Sequence, residues 1–470
     1  MFEDSSFIVD NSLLFINAQE FTMEGNSTGQ INTGGEIRVE GGTLNLMEYS
    51  DMNVIDGIIQ VLGNDINVKE NSILTSSSSN SFIRLDGGNM NIDDNGSINV
   101  LDSSNLIIES GETIALGSSN VLISNGGIFN VSASTAKSSF SESSSFICES
   151  NSLFTSNGIT LFNSSSPWNV NNADFIVEGN NAIFSDNSEG IVRATGLFIL
   201  NDGDVVFEDN ASVNITGLSG FFVNGGTLTQ YNSSDIIVTQ DSDLLVLGSV
   251  SQYNSALIQV DTNSNLTISG SGASITSDGS SIVNVLSSSF AEIKNNAGVN
   301  LLDNAIWNIN SGTISLVGGT GSFIQEGTSK TILDNSDFDI DGFVNLKQSS
   351  SITSNSTTLT FSNGDIIVEE ASFIEVFENG ILNVENGLLD FSGTSNFTID
   401  GTSELHVMDG SVIFRESSNL FTDIGTILDV AGTFSLEDNV CTTFTEVEFT
   451  VTGEVYLRNQ TCLNIIDSPI

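Results

Sequence analysis

The sequence has little proline, histidine, cysteine or positive charge. Its 470 residues include 2 Pro, 1 His, 3 Cys and 10 Lys plus Arg, against 59 Asp plus Glu. The resulting formal net charge of −49 argues against nucleic-acid binding, which depends on Lys and Arg neutralising phosphates. Because no apolar run reaches about 18 residues, we also expect no membrane span.

The amino-terminal segment lacks the pattern of a secretion signal. Residues Met1–Ser5 are acidic and are not followed by an apolar core. We therefore expect no signal peptide here, and an extracellular protein with this sequence would be a mature chain or a fragment.

Glycine and phenylalanine are the residues that the sequence has in excess. There are 44 Gly beside the 2 Pro, which is typical of strands joined by tight corners that still need their backbone N–H groups. There are 30 Phe beside 4 Tyr and 2 Trp, and Phe has no polar atom to satisfy when buried. We expect the Phe rings to stack in the interior of a β protein.

Pairs of hydrophobic residues recur at an almost constant step between Gly364 and Leu436. The two members of a pair are two residues apart, so they lie on one face of a short strand. First members follow one another after 8, 8, 7, 8, 8, 7, 8, 8 and 6 residues. The pairs are Ile366/Val368, Ile374/Val376, Leu382/Val384, Leu389/Phe391, Phe397/Ile399, Leu405/Val407, Val412/Phe414, Leu420/Thr422, Leu428/Val430 and Phe434/Leu436.

Three pairs make one repeat. The residue two positions before each pair shows this, because its type recurs at every third pair. Every third such position is a glycine, at intervals of 23, 23 and 22 residues: Gly364, Gly387, Gly410 and Gly432. A second series is Ser372, Ser395 and Ser418, and a third is Gly380, Ser403 and Thr426. This pattern predicts an all-β fold, a three-sided, right-handed parallel β-helix of about 20 coils of 22–24 residues.

The repeat runs along the whole chain without a linker or a helical segment. We therefore predict one β-solenoid domain over residues 1–470, with the least regular coils at 132–167. The terminal coils, 437–470, contain Cys441 and Cys462, which are 21 residues apart and so lie on adjacent coils. Either they form a disulfide or they are two separate thiols. Cys148, beside an inward position, is expected to be an unpaired structural thiol.

Asn45, Asn67 and Asn91 are predicted to occupy the same outward position of successive coils, because they are 22 and 24 residues apart. Stacked Asn side chains can form hydrogen bonds along a parallel array. Alternatively, Asn is simply the commonest outward residue of this sequence. The sequence alone does not decide between the two readings.

Motifs for catalysis or metal binding are weak. Polysaccharide-cleaving β-helix enzymes use Arg or Lys with clustered acids, or a Gly-His-Gly and an Arg-x-Lys, and this chain has neither arrangement. Its only histidine, His406, is predicted to face outward alone. Asp337, Asp339 and Asp341 resemble the start of a calcium-binding loop, but Gln348 stands at the bidentate position and strand alternation explains the pattern better. We therefore expect no enzyme and no cofactor, with calcium at the three aspartates as the weaker alternative.

Asn-x-Ser/Thr acceptors for N-glycosylation are numerous, although so Asn-rich a composition produces about as many by chance. Several are predicted to lie at corners or at outward positions, where a glycan would leave the wall freely. The candidates are Asn26, Asn95, Asn130, Asn163, Asn210, Asn214, Asn232, Asn265, Asn355, Asn396 and Asn459.

Gly-x-hydrophobic-x-hydrophobic segments such as Gly42–Leu46 occur along nearly the whole chain. In this pattern and in coil length the sequence resembles parallel β-helix surface proteins. These are the passenger domains of bacterial autotransporter adhesins and the Asn- and Ser-rich secreted β-helix proteins of microbial eukaryotes. The resemblance implies a location outside the cell or on its surface.

We therefore expect a non-enzymatic extracellular structural rod, which acts as an adhesin stalk, a surface coat or a filament subunit. Expected partners are further copies joined end to end, or the continuation of a longer chain, and surface glycans. The alternative is a carbohydrate-binding or polysaccharide-cleaving β-helix. That alternative requires a groove lined by acids and aromatic rings near Ser132–Trp168.

Overall fold

A computed structural model describes residues 2–467, and it shows a parallel β-solenoid of about 20 turns, as the sequence predicts. Residues 1 and 468–470 lie outside this range, and with them Pro469 and the last part of the predicted terminal coils, 437–470. No helix is present in the described part of the chain. The chain forms two compact units, which are described separately: Met1–Thr229 with Ser233–Ile236 and Ser242–Leu244, and the remainder to Ile470.

Unit 1 contains thirty complete strands in the following order. They are β1 Phe2–Glu3, β2 Ser6–Val9, β3 Leu13–Ile16, β4 Glu20–Glu24, β5 Thr28–Ile31, β6 Glu36–Glu40, β7 Thr43–Leu46, β8 Asp51–Ile55, β9 Ile58–Leu62, β10 Ile66–Lys69, β11 Ile73–Ser77, β12 Phe82–Asp86, β13 Met90–Asp93, β14 Ser97–Val100, β15 Asn105–Ser110, β16 Thr113–Ala115, β17 Asn120–Ile123, β18 Ile128–Val131, β19 Lys137–Phe140, β20 Ser145–Glu149, β21 Leu153–Ser156, β22 Ile159–Phe162, β23 Pro167–Asn171, β24 Asp174–Glu178, β25 Ala182–Phe184, β26 Glu189–Arg193, β27 Leu197–Asn201, β28 Val205–Phe207, β29 Ser212–Thr216 and β30 Gly220–Asn224.

Three strands have residues in both units: β31 Leu228–Gln230, β32 Asp235–Thr239 and β33 Asp243–Leu247. The strands of unit 2 are β34 Val250–Gln252, β35 Leu257–Val260, β36 Asn265–Ile268, β37 Ser274–Ser277, β38 Ile282–Leu286, β39 Phe290–Ile293, β40 Gly298–Leu301, β41 Ile306–Asn310, β42 Thr313–Gln325, β43 Lys330–Asp334, β44 Asp337–Leu346, β45 Ser351–Asn355, β46 Thr358–Ser362, β47 Ile366–Val368, β48 Phe373–Phe377, β49 Ile381–Glu385, β50 Leu388–Phe391, β51 Asn396–Ile399, β52 Glu404–Met408, β53 Ser411–Phe414, β54 Asn419–Thr422, β55 Ile427–Val430, β56 Thr433–Leu436, β57 Cys441–Thr445, β58 Glu448–Val451, β59 Val455–Leu457 and β60 Cys462–Ile466.

Within each unit a strand pairs in parallel with the strand one turn away. In unit 1, β6 pairs with β9 and β9 with β12, β7 pairs with β10, and β8 pairs with β11. We call these three series face 1, face 2 and face 3. In unit 2 the corresponding series include β49 with β52, β50 with β53 and β48 with β51. A turn therefore has three sides.

The hydrophobic pairs between Gly364 and Leu436 point into the solenoid, as the spacing of two predicts. Every hydrophobic member of these pairs is buried, while Thr422, the one polar member, is partly exposed. Their in-register partners one turn away are also apolar, for example Leu382 beside Leu405. Burial of one such side chain contributes roughly 1.5–3 kcal/mol, so the core of each unit is a stack of small apolar layers.

Phenylalanine rings form continuous columns in the interior of unit 1. On face 2, Phe162 stacks on Phe184 with 5.5 Å between ring centroids, and Phe184 stacks on Phe207 at 4.7 Å. On face 1, Phe198 stacks on Phe221 at 4.3 Å. These separations are close to the strand spacing of about 4.8 Å, so each ring contacts the equivalent ring of the next turn.

The glycine column marks the corner between face 1 and face 2, where successive turns approach most closely. A Cβ atom added at Gly387 would lie 2.2 Å from the carbonyl oxygen of Gly364. At Gly410 the same distance to Gly387 is 2.2 Å, and at Gly432 the distance to Gly410 is 1.6 Å. Since atoms do not approach so closely, these positions accept only glycine, which explains the repeat seen between Gly364 and Gly432 in the sequence.

A short polar series interrupts the apolar interior of unit 2. The fully buried Gln252 donates its side-chain N–H to Gln230 at 3.2 Å, and it accepts a hydrogen bond from Ser277 at 3.0 Å. Trp307 in turn donates its indole N–H to the Ser277 hydroxyl at 3.2 Å. Gln325 is also fully buried, but neither atom of its amide finds a partner among the described residues.

We predict that Gly387→Ala destabilises the protein by about 2–3 kcal/mol, because the methyl group overlaps the Gly364 carbonyl. Gly298→Ala is the matched control, since its nearest neighbour is the flexible Ser322 hydroxyl at 3.2 Å and its φ is not positive. Urea unfolding followed by circular dichroism measures both changes. Equal stability of the two variants would contradict the close approach at this corner.

We predict that Gln325→Leu stabilises the protein by about 1–3 kcal/mol, because an unpaired buried amide is replaced by the residue type found one turn away on both sides, Leu301 and Leu346. Gln252→Leu should instead destabilise it, since Gln230 and Ser277 would each lose one hydrogen bond. Thermal unfolding of the two variants tests the difference in sign, and a loss of stability in both would disprove it.

Candidate functional site

The three asparagines Asn45, Asn67 and Asn91 form a hydrogen-bonded ladder on face 2. The amide of Asn67 donates to Asn45 at 2.7 Å, and that of Asn91 donates to Asn67 at 2.8 Å. Asn45 continues the ladder by donating to the Thr22 hydroxyl at 3.2 Å. The ladder reading of this series is therefore confirmed, and the outward amides bind neighbouring turns rather than converging on a ligand.

Acidic side chains at the corner between face 2 and face 3 cap the backbone of the preceding turn. Glu48, Glu142 and Glu416 adopt left-handed backbone conformations, with φ of 64°, 62° and 64°. Their carboxylates accept hydrogen bonds from the backbone N–H groups of Gly25, Gly117 and Gly393, at 2.9, 3.0 and 2.8 Å. Residues other than glycine seldom adopt a positive φ, and this hydrogen bond explains why Glu is found there.

Aspartates cap the corner between face 1 and face 2 in the opposite direction, toward the following turn. The carboxylate of Asp65 accepts from the backbone N–H of Asn89 at 2.7 Å, and Asp204 accepts from Thr227 at 2.9 Å. In unit 2, Asp365 accepts from Leu388 at 3.1 Å. Many of the chain's acids are thus bound to corner backbone groups that lack a strand partner.

The structure brings the two terminal cysteines together. Cys441 on β57 and Cys462 on β60 are in-register partners with Cα atoms 4.5 Å apart, and their sulfur atoms are bonded. Cys441 lies at the surface. Cys148 is free and buried in unit 1, and burial raises the pKa of its thiol well above the ordinary value. Its burial keeps this thiol from reacting as a thiolate.

His406 lies on the outer surface of β52 among acids. Its Nε2 atom is 2.7 Å from a Glu404 carboxylate oxygen, and Nδ1 is 4.0 Å from Asp429. The side chains are partly exposed, and no serine or cysteine nucleophile is among these contacts. In the described part of the chain, no three His, Cys, Asp or Glu side chains are grouped so that they could bind a metal ion.

Asp337, Asp339 and Asp341, the calcium candidates, alternate with the buried Phe338 and Ile340 along β44. All three carboxylates therefore point outward along one strand. Burial, together with the negative charge of Asp337, raises the pKa of Asp339, while a hydrogen bond from Thr360 opposes this shift.

The wall near Ser132–Trp168 consists of regular strands with aromatic rings on the inside. Phe146, Phe162 and Trp168 are almost completely buried. The outer surface of face 3 has a shallow depression of about 210 Å³ here, formed mainly by outward side chains such as Ile147, Pro167 and Ile191. It contains one acid, Glu189, and the rings of this region do not reach the solvent.

An aromatic ring does reach the surface on face 3 of unit 2. Phe421 is 54% exposed and lies in a depression of about 310 Å³. The surrounding side chains carry hydroxyl and carboxylate groups: Thr398, Thr422, Asp423 and Thr443.

The candidate glycosylation sites differ in exposure and in the hydrogen bonds that their side-chain amides form. The amide nitrogens of Asn26, Asn95, Asn210 and Asn459 donate hydrogen bonds to neighbouring turns. The side-chain oxygens of Asn130, Asn163, Asn232 and Asn396 accept such bonds. Asn265 and Asn355 lie at partly exposed positions of β36 and β45, and Asn214 is exposed in the middle of β29.

One ion pair that involves a buried carboxylate was not anticipated from the sequence. Asp390 on face 2 is 4% exposed and forms an ion pair with Arg415. Burial raises the pKa of Asp390, while the charge of Arg415 opposes this shift. The separation of 25 residues, one turn plus two, is the signal that identifies such a diagonal pair, and Arg84 with Glu109 repeats it at 2.6 Å.

No protein-family model matches this chain, and no curated protein matches its sequence. Within residues 2–467 the structure also holds no helix with the length and apolar character needed to cross a bilayer.

We predict that Asp339→Asn stabilises the protein at pH 7 by a few tenths to about 1 kcal/mol. Because the pKa of Asp339 is raised in the folded state, the folded protein binds the proton more tightly than the unfolded chain. Stability therefore falls as pH rises from the unfolded to the folded pKa, and the ionised carboxylate costs stability above that range.

The gain should disappear at pH 3, where both states are protonated. Chemical unfolding at pH 3 and pH 7 measures this difference. Glu448→Gln, at another outward position of the wall on β58, is the control, and the same pH-dependent gain there would contradict a cause specific to the surroundings of Asp339.

Proposed function

We propose that this protein is a non-enzymatic structural component of the extracellular or cell-surface space, such as a stalk, a coat or a filament subunit. The observation that carries the proposal is the use of outward polar groups within the wall. Asn side chains bond from turn to turn, and carboxylates cap corner N–H groups. Groups that are bound in this way are not free to form the convergent constellation that a catalytic site requires.

The disulfide supports an oxidising location. Structural disulfides form and persist in secreted and surface proteins, whereas most intracellular proteins keep their thiols reduced. Cys441 is exposed and its disulfide with Cys462 would be open to cytosolic reductants. The net charge of −49 adds a strongly hydrated wall that resists nonspecific association.

Carbohydrate binding is the second candidate, and the exposed ring of Phe421 favours it. Sugar rings stack on aromatic faces, and the hydroxyl and carboxylate groups around Phe421 would bind sugar hydroxyls. A coat or stalk protein with such a patch would bind surface glycans.

We expect the protein isolated from its own cells to occur in the surface or secreted fraction with Cys441 and Cys462 oxidised. Alkylation without reduction, followed by peptide mass spectrometry, should leave these two cysteines unlabelled, and Cys148 should react only after unfolding. Recovery of reduced protein from the cytosol would refute the proposal.

In a glycosylating host, a glycan is expected at Asn214 before Asn210 or Asn459, whose side-chain amides donate hydrogen bonds to neighbouring turns.

Glycan-array binding that is lost in Phe421→Ser would favour the second candidate.

A further inference from the structure

An apolar stripe lies on the outer surface of face 1 over three consecutive turns of unit 1. Ile176, Ile199 and Phe222 are in-register neighbours on β24, β27 and β30, and all three are partly exposed. Leu153 and Leu197 extend the stripe beside them. The in-register outward positions of the two preceding turns of face 1 are polar by contrast: Asn130 and Thr155. Strand propensity alone does not explain this difference between equivalent positions.

A single carboxylate interrupts the stripe. Asp174 lies in register between Leu153 on the preceding turn and Leu197 on the next. Its carboxylate forms no ion pair or hydrogen bond with any described residue, and burial raises its pKa. Asp390, another acid whose pKa is raised by burial, is by comparison paired with Arg415. A partly desolvated carboxylate without a partner is unfavourable in the isolated protein.

The carboxylate opens onto a depression of about 210 Å³ at the corner between face 3 and face 1. Its wall includes Asp174, Asn151, Asn172 and Thr195, and the amide and hydroxyl groups of the last three form a chain of hydrogen bonds. The site thus combines an apolar approach, a carboxylate and a polar rim. A lysine or arginine side chain has the matching chemistry, with an apolar stem and a cationic end that donates hydrogen bonds.

We propose that the stripe and the Asp174 depression form a docking site for a partner protein that presents a lysine or arginine flanked by apolar side chains. The cation would pair with Asp174, its stem would lie on Leu153 and Leu197, and neighbouring apolar groups would cover Ile176 and Ile199. Charge complementarity selects this partner. A second copy of the chain carries the same net charge of −49, which disfavours its binding side by side on this face.

The test uses the full chain and a synthetic heptapeptide of alternating leucine and lysine as the probe. Isothermal titration calorimetry at physiological salt should show binding. Affinity should fall about tenfold or more when norleucine replaces lysine, and also when serine replaces leucine. Hydrogen exchange should show protection in β21, β24 and β27.

Asp174→Asn should weaken binding by about tenfold or more, because the cation loses its counter-charge. Asp51→Asn is the matched control, since Asp51 is also a partly buried acid whose pKa is raised by burial, but it lies on face 3. The double variant Ile176→Thr with Ile199→Thr should weaken binding about fivefold or more while keeping β-branched residues in the strands. Thermal unfolding verifies that each variant is folded.

Absence of binding would overturn the docking proposal, as would equal effects of Asp174→Asn and Asp51→Asn, which would show attraction to the acidic wall in general. Equal binding of the serine peptide would overturn it too, because the stripe would then contribute nothing. The structural function proposed above depends on the wall and the disulfide, so its outcome is separate from this one.

Discussion

The stacking of turns through backbone hydrogen bonds is the constraint on which the rest of the structure depends. A strand of this solenoid finds its partners about one turn earlier and one turn later, so each position has a neighbour of the same kind on either side. The same kind of contact therefore recurs at the equivalent position of successive turns, and these positions together form a column. Phe stacks on Phe, Asn bonds to Asn and Gly packs against Gly because a side chain meets its own equivalent.

This constraint explains why the fold could be predicted from the sequence. The spacing of two within pairs and of 22 or 23 between columns follows directly from strand alternation and turn length, and the Gly364 to Gly432 series is fixed by a close approach of backbones. By contrast, neither the handedness of the solenoid nor the boundaries of the compact units follow from a local repeat of this kind.

The candidate sites were harder to foresee, because they depend on exceptions to the columns. Asp174 differs from its neighbours Leu153 and Leu197, and Gln325 differs from Leu301 and Leu346. Because these residues break the repeat, the periodic pattern does not predict their contacts. The diagonal pair of Asp390 and Arg415 was missed for a related reason, since it crosses two columns.

The glycine column also limits how the chain can change in length. From Gly321 through Gly342, Gly364, Gly387, Gly410 and Gly432 to Gly453, the intervals are 21, 22, 23, 23, 22 and 21 residues. Small insertions within a turn can therefore be absorbed only at the other two corners. At the glycine corner itself a change in length must add or remove a whole turn, because any other length would place a side chain against the carbonyl that each glycine contacts. Lengthening and shortening of such a protein during evolution is thus expected to proceed in steps of one turn.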